Sequence, residues 1–329
     1  MSGLSMRLAP VSWPLVRPFR IARAEYRTVE ALRLELHDGR GNRGRSEALG
    51  DDYHGESVAS MRRQLEDSRA RVEAGIQRVP LIEDFPRGGA RHLLDAALWD
   101  LEAKRSGVPA WRAAGIGEPR RRVTAFTVGL GDGEELAAEL RRVAGFPLLK
   151  LKVGGDDPRP LIERVRRTHP DAELILDANA AWSIAQLRSW LPALPGLGVS
   201  LLEQPLPPGE DEALADLDHA VPIAADESVD DTATLPPLIG RYDAVNIKLD
   251  KAGGLTEALR LADAAGAAGL AVMVGCMGGS SLAMAPAAVL AQRARWIDLD
   301  GPLLQREDVS PPIRYEAGWM GFPEPELWG

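Results

Sequence analysis

The 329 residues are 45% hydrophobic, with a formal net charge of −9, which allows a large core and leaves no basic surplus. No Lys/Arg cluster is interleaved with aromatics, so nucleic-acid binding driven by counterion release is excluded, and the single cysteine, Cys276, excludes an intrachain disulfide. A soluble globular protein acting on a small molecule is expected, with the cytoplasm as its compartment.

In chain order, residues 1–27 are broken by Pro10, Pro14 and Pro18 among scattered arginines and lack the apolar core of a signal peptide. No later segment reaches the length of a membrane span. Residues 30–37 alternate like a half-buried strand, with Gly39, Gly41 and Gly44 punctuating the turn that follows. Residues 90–107 predict an amphipathic helix, with Leu93, Leu94, Ala97, Leu98, Leu101 and Ala103 on or near one face and Gly107-Val108-Pro109 as its stop. Residues 1–118 thus read as an α+β domain.

From Val123 the pattern changes. Apolar runs at 123–128, 147–153, 173–177, 199–203, 222–226, 244–249, 271–276 and 296–300 recur at a mean step near 25 residues, the length of a compact strand-loop-helix unit. Helical patterns at 134–144, 184–191 and 255–266 fall between them. Runs apolar at nearly every position suit buried parallel strands, so residues 119–302 predict an α/β barrel. Residues 303–329 have little helix signal and are expected to pack back on the first domain. Cys276, at the end of the seventh run, is expected to be a buried apolar thiol.

Five charged residues follow the same step: Lys152, Asp177, Glu203, Asp226 and Lys248, separated by 25, 26, 23 and 22 residues. Carboxyl ends of successive strands converge on one mouth of a barrel. Asp177, Glu203 and Asp226 would be costly there unpaired, and a hard cation such as Mg²⁺ relieves that cost while keeping room for substrate oxygens. Each alone could be a helix cap, but three in succession favour the metal. Lys150 and Lys152 lie two apart on one strand and so point the same way; confined together, they are expected to repel, with one titrating low enough to act as a base. Lys248 stands across the barrel from Lys152. An amine on each side of a metal can remove a proton from one face of a carbon and return it to the other, which is racemisation or epimerisation alpha to a carboxylate. Asp298 and Asp300, two apart in the last run, are placed to hold a substrate ammonium group, although Asp300-Gly301-Pro302 also reads as a turn.

At this point the chain resembles the muconate-lactonizing subgroup of the enolase superfamily over nearly its whole length. The resemblance is carried by Lys150-Leu151-Lys152, Asp177-Ala178-Asn179, Glu203-Gln204-Pro205, Asp226-Glu227-Ser228 and Lys248-Leu249-Asp250-Lys251-Ala252-Gly253-Gly254, and by the helix bearing Ala96-Ala97-Leu98-Trp99-Asp100-Leu101. It implies a (β/α)7β TIM-like barrel under an α+β capping domain completed by the C-terminal tail, with one Mg²⁺. Within the subgroup, Asp298-Leu299-Asp300 is similar to the signature of dipeptide epimerases, above all L-Ala-D/L-Glu epimerases, which act in cell-wall peptide recycling or peptide catabolism. The resemblance makes Lys152 and Lys248 the acid/base pair, Lys150 the neighbour tuning Lys152, and Asp177, Glu203 and Asp226 the ligands. Asn179 and Glu227 flank the ligands, while Met277, Gly278, Thr127, Asp298 and Asp300 line the substrate.

One departure concerns the arginine that reads a glutamate side chain in the family. Tyr26 or Ala24 aligns where it belongs, leaving Arg20, Arg23 or Arg27 to replace it; Arg23 is the one assigned. The loop 51–56 is a second specificity element, where Tyr53 and His54 either contact substrate or are exposed. Competing readings are a lyase such as o-succinylbenzoate synthase or muconate cycloisomerase, and a metal-binding barrel without catalysis. A homo-oligomer is left open.

Overall fold

The computed structural model describes residues 3–21, 24–131 and 133–329. Its first layer is an antiparallel meander of β1 (Ser5–Ile21), β2 (Ala24–His37) and β3 (Arg43–Ala48). β2 buries Leu32, Leu34 and Leu36 and leaves Arg33 and Glu35 half-buried, the alternation legible in the sequence. β1 is the strand its prolines conceal. Pro10 and Pro14 have no N–H to donate, but β1 is an edge strand, where one side of the ladder needs no donors, and its register slips between Pro14 and Phe19.

Three helices follow, Val58–Asp67, Arg69–Glu73 and Arg78–Asp84, and then the long helix Gly89–Ser106, closed by Gly107 at φ +70°. Expected to be amphipathic, this last helix is buried on nearly every side, with Arg91, His92, Asp95 and Asp100 inside as well as its leucines. The cap sheet covers its apolar side and the barrel covers its polar side. Arg91 donates to the carbonyls of Ala252 (2.7 Å) and Gly253 (3.1 Å), Asp95 accepts from Thr256 N (3.0 Å), and Trp99 Nε1 donates to Thr256 Oγ1 (2.9 Å). Gly253 and Gly254 have φ of +73° and +124°, and a Cβ on either would collide with Arg91 or Asp95. Glycine is what lets the cap helix approach this closely.

The run at 123–128 divides. β4 (Arg122–Val123) joins a small sheet with the C-terminal hairpin β13 (Tyr315–Glu316) and β14 (Trp319–Met320). The barrel strands are β5 (Phe126–Val128), β6 (Leu148–Lys152), β7 (Glu173–Asp177), β8 (Val199–Glu203), β9 (Ile223–Ala225), β10 (Ala244–Lys248), β11 (Ala271–Gly275) and β12 (Trp296–Ile297). They are parallel and neighbour one another in chain order, and Ala125 N donates to Ile297 O (2.8 Å), bringing the first strand to the last. This is the (β/α)7β barrel. β12 is shorter than the run at 296–300: Asp298 N still donates to Val274 O (2.8 Å), but Leu299 N turns to Thr124 Oγ1 (2.9 Å) and the helix Gly301–Leu304 begins at once.

The barrel interior is layered by the two-residue period of its strands. Ala125, Leu148, Ile175, Leu201, Ala224, Ala244, Met273 and Trp296 pack into one apolar cluster that floors it. Two residues further along each segment come Thr127, Lys150, Asp177, Glu203, Asp226, Asn246, Gly275 and Asp298, a nearly continuous polar ring. The intervening residues, such as Leu149, Leu151, Leu176, Leu202, Val245 and Ile247, belong to the main core shared with the outer helices. The tail lies against the cap helix, where Trp328 Nε1 donates to Ala96 O (3.1 Å) and Gly329 N to Asp100 Oδ1 (2.7 Å).

Candidate active site

The polar ring opens into a cavity of about 540 Å³ between the barrel mouth and the cap, lined from below by Lys150, Lys152, Asp226, Lys248, Asp298 and Asp300. Lys150 Nζ lies 3.0 Å from Asp177 Oδ2 and 2.8 Å from both Glu203 Oε2 and Asp298 Oδ2. Lys152 Nζ donates to Asp177 Oδ2 (2.6 Å) and Asn179 Oδ1 (3.0 Å). Lys248 Nζ donates to Asp226 Oδ2 (2.7 Å). β6 and β10 are four strands apart in a ring of eight, so Lys152 and Lys248 stand on opposite walls.

Carboxylates outweigh the repulsion between lysines expected from their spacing. Burial acts against the charge of Lys150, yet Asp177, Asp298 and Glu203 hold it well above the usual lysine range; burial and Asp226 act on Lys248 in the same opposed senses, and it too is raised. The acids divide. Burial would raise Asp177 and Asp226, but Lys150 and Lys152 pull the first well down and Lys248 and Lys251 the second. Burial and the neighbouring Asp177 charge push Glu203 up to about 8.

One oxygen from each of Asp177, Glu203 and Asp226 lies within 4.8 Å of the others, and all three residues are buried. Glu203 Oε2 forms no hydrogen bond, although the Lys150 ammonium is near it. Three buried, converging carboxylate oxygens and an acid forced up by its like-charged neighbour are what a hard divalent ion fits. Two further groups reach these acids. Asn246 Nδ2 donates to Glu203 Oε1 (2.8 Å) and Lys251 Nζ to Asp226 Oδ1 (2.6 Å). Asn246 shares a strand face with Lys248, so the two-residue period points to it; Lys251 sits in the helix Leu249–Ala252 beyond the strand, where no strand pattern reaches. Gly275 makes room for Asn246, since a Cβ there would lie 2.7 Å from its Oδ1.

Across the mouth, Thr127 Oγ1 donates to Asp298 Oδ1 (3.1 Å) and Thr127 N to Asp300 Oδ2 (2.6 Å). Burial and the Asp298 charge push Asp300 up to about 7. Met277 and Gly278 line the adjacent wall, as does Cys276, which is half-buried at the cavity rather than enclosed in the apolar core. Asn179 N donates to Asp177 Oδ1 (2.9 Å) and Asn179 Nδ2 to Glu227 Oε1 (3.3 Å), so both flanking residues sit beside the trio.

The cap supplies the roof: Leu15, Phe19, Tyr26, Val29, Leu49 and the loop with Asp52, Tyr53 and His54, the last two both lining the cavity. Asp250, two residues beyond Lys248, accepts from Leu49 N (3.0 Å) and Gly50 N (2.9 Å) and ties that loop to the barrel. Tyr26 Oη donates to Asp52 Oδ2 (2.8 Å). Arg20 pairs with Glu25 (2.8 Å) and Glu135 (3.0 Å), and Arg27 with Glu25 (2.8 Å). Among the described residues no arginine lines the cavity; Arg23 lies outside them.

Carboxylates, opposed amines and a ligand-sized cavity at the carboxyl ends of barrel strands define a barrel enzyme with a capped site. Residues 134–326 match the enolase C-terminal domain-like family model, and the chain belongs to the enolase superfamily. It is 40% identical over 309 residues to the L-Ala-D/L-Glu epimerase of Escherichia coli, covering 93% of this chain and 96% of that protein. An enolase family member from Agrobacterium tumefaciens with homology to dipeptide epimerases, solved with bound sodium and L-Ala-L-Glu, superposes with a TM-score of 0.96 at 40% identity, covering 99% of this chain and 100% of that one. The dipeptide epimerase of Methylococcus capsulatus, complexed with Mg and L-Arg-D-Lys, gives a TM-score of 0.90 at 30% identity over 98% of each chain.

Proposed function

We propose that this protein is a Mg²⁺-dependent dipeptide epimerase that inverts the alpha carbon of the C-terminal residue. The observation that carries the reading is the pair of opposed lysines, Lys152 and Lys248, with the Asp177–Glu203–Asp226 trio between them and the Asp298–Asp300 pair to one side. In their relatives the ligands are dipeptides.

Asp177, Glu203 and Asp226 hold the ion. When bound, it supplies positive charge that offsets the acids holding Lys150 and Lys248 in their ammonium form and stabilises the charge growing on the substrate's terminal carboxylate as the alpha proton leaves. Asp298 and Asp300, held by Thr127, take the free ammonium group, which fixes the peptide across the mouth and sets the alpha carbon between the two amines. The lysine in its amine form takes the proton from one face, and the opposite lysine, as an ammonium, returns one to the other face, leaving inverted configuration. Asp250 and the loop it anchors close the cap and exclude water from the exchange. The C-terminal side chain projects toward Tyr26 and the loop 51–56, which leaves L-Ala-D/L-Glu as one candidate substrate among dipeptides.

The test is incubation with Mg²⁺ and a dipeptide library in D₂O, read by mass spectrometry. One deuterium gained at the C-terminal alpha carbon, with the configuration scrambled, is the expected outcome. Lys152→Ala and Lys248→Ala should each lower epimerisation by about 10²- to 10⁴-fold, as loss of an acid/base group does; full activity in either would sink the two-base mechanism. A lyase of the same subgroup needs no ammonium site and should be indifferent to neutralising Asp298 or Asp300.

A further inference from the structure

One buried residue connects all three acid-bearing loops. Gln204 follows Glu203 directly and has φ of +34°, a left-handed conformation that a residue with a Cβ keeps only when its surroundings enforce it. Its carbonyl accepts from Ala180 N (2.8 Å), in the loop after Asp177, and its N–H donates to Ala224 O (2.8 Å), on the strand leading to Asp226. Its side-chain Oε1 accepts from Asp226 N (2.8 Å) and Ser228 N (3.1 Å).

What holds Gln204 lies further from the cavity. Its Nε2 donates to Leu206 O (2.8 Å), Ser228 Oγ (2.9 Å) and Tyr242 Oη (3.0 Å), three acceptors sharing two protons. Ser228 and Tyr242 both donate onward to Asp211 Oδ2, at 2.7 and 3.0 Å, and Arg241 Nη1 lies 3.4 Å from Asp211 Oδ1. Asp211 is buried in the short turn Asp211–Leu214 after β8, and neither it nor Tyr242 lines the cavity. Burial raises the Tyr242 phenol, so its hydroxyl remains a donor through the neutral range.

We propose that Asp211 and Tyr242 are positioning residues for the cation site, acting through Gln204 to hold the Asp177, Glu203 and Asp226 carboxylates in convergence. The chain of bonds ends on the Asp226 N–H through the Gln204 amide and on Glu203 through the Gln204 backbone, so a displaced Gln204 is felt by two of the three acids. Partners one bond removed from metal ligands commonly set affinity by about 10- to 100-fold. The proposal rests on the reading of the trio as the Mg²⁺ site, and it is independent of which substrate the enzyme takes.

The experiment is calorimetric titration with Mg²⁺ alone, without dipeptide, of wild type, Tyr242→Phe and Asp211→Asn. Mg²⁺ affinity should weaken by about 10-fold in both variants, and kcat should recover at saturating Mg²⁺. Leu261→Ala, a cavity in the outer helix Leu255–Ala267, is the control: it should lower the melting temperature and leave the Mg²⁺ affinity unchanged. Should Tyr242→Phe fail to fold, the isosteric Asp211→Asn carries the same measurement. Wild-type affinity in the variants, with stability lost as in the control, overturns the proposal alone. Absence of Mg²⁺ binding by the wild type removes the metal reading and the proposal together.

Discussion

Thr127 donates its backbone N–H to Asp300 and its hydroxyl to Asp298, so both carboxylates are oriented before any ligand arrives. They differ in what they still need. Asp298 already faces the Lys150 ammonium at 2.8 Å, whereas Asp300, pushed up to about 7 by burial and by Asp298, gains most from a cation. Only the ionised form attracts the substrate's ammonium, so kcat/KM on dipeptides should rise with pH through about 7, the raised value in the free enzyme. Asp300→Asn keeps the acceptor for Thr127 N but not the charge; it should raise KM by about 10-fold or more and remove that rise. A variant that retains the wild-type pH profile would detach Asp300 from substrate binding. At this scale the sequence was informative where strand period was applied, as at Lys150 and Lys152; the same period reaches Asn246, which the reading passed over, and it is silent at Lys251, whose approach to Asp226 depends on a helical turn beyond β10.

The cap helix Gly89–Ser106 shows what happens when an element is packed on two sides. Its leucines were legible by period, but burial of Arg91 and Asp95 against Gly253, Gly254 and Thr256 depends on the barrel surface it meets. Burial pushes the Asp95 carboxyl up to about 6 from 3.8, against the hydrogen bonds from Thr256. Because the folded state binds this proton more tightly than the unfolded chain, Asp95 contributes most below about pH 4, and stability is lost as pH rises through about 6. The loss between pH 4.5 and 7.5 is on the order of 2 kcal/mol. Asp95→Asn carries no charge to bury, so the stability difference from wild type, followed by urea unfolding between pH 4.5 and 7.5, should move in favour of the variant by that amount. A difference independent of pH would show that folding leaves the Asp95 pKa where it stands in the unfolded chain.

In the whole molecule, cap and barrel are joined through the same segments that build the site. Asp250 holds the cap loop two residues from Lys248, Glu47 of β3 accepts from Ser280 N (2.8 Å) beyond the Met277–Gly278 wall, and the tail runs back to Ala96 and Asp100. Among the described residues no helix is long and apolar enough to cross a membrane. Since the ion binds only where the three strands are assembled, its free energy is added to the folded state. Chelation should therefore abolish epimerisation and lower the melting temperature, reversibly on return of Mg²⁺; at a hundredfold excess over Kd the ion contributes about 2.7 kcal/mol. Identical melting curves with and without Mg²⁺ would contradict a cation held by the trio.

The sequence by itself determined the barrel and its chemistry. Strands buried on both faces must be apolar along their length, the step between them is set by the shortest crossover helix, and a charged residue at the end of such a run has only the mouth to occupy. Lys152, Asp177, Glu203, Asp226 and Lys248 were therefore visible in one dimension. Tertiary structure alone decided the rest. β1 is a strand because an edge tolerates Pro10 and Pro14; Gly253 and Gly254 are glycines because a helix about 160 residues earlier in the chain lies on them. Lys150 is an ammonium among three acids, and Gln204 joins three loops, because residues distant in sequence were brought within 3 Å or so of each other. Contacts of that kind follow no period, and no local pattern in the chain encodes them.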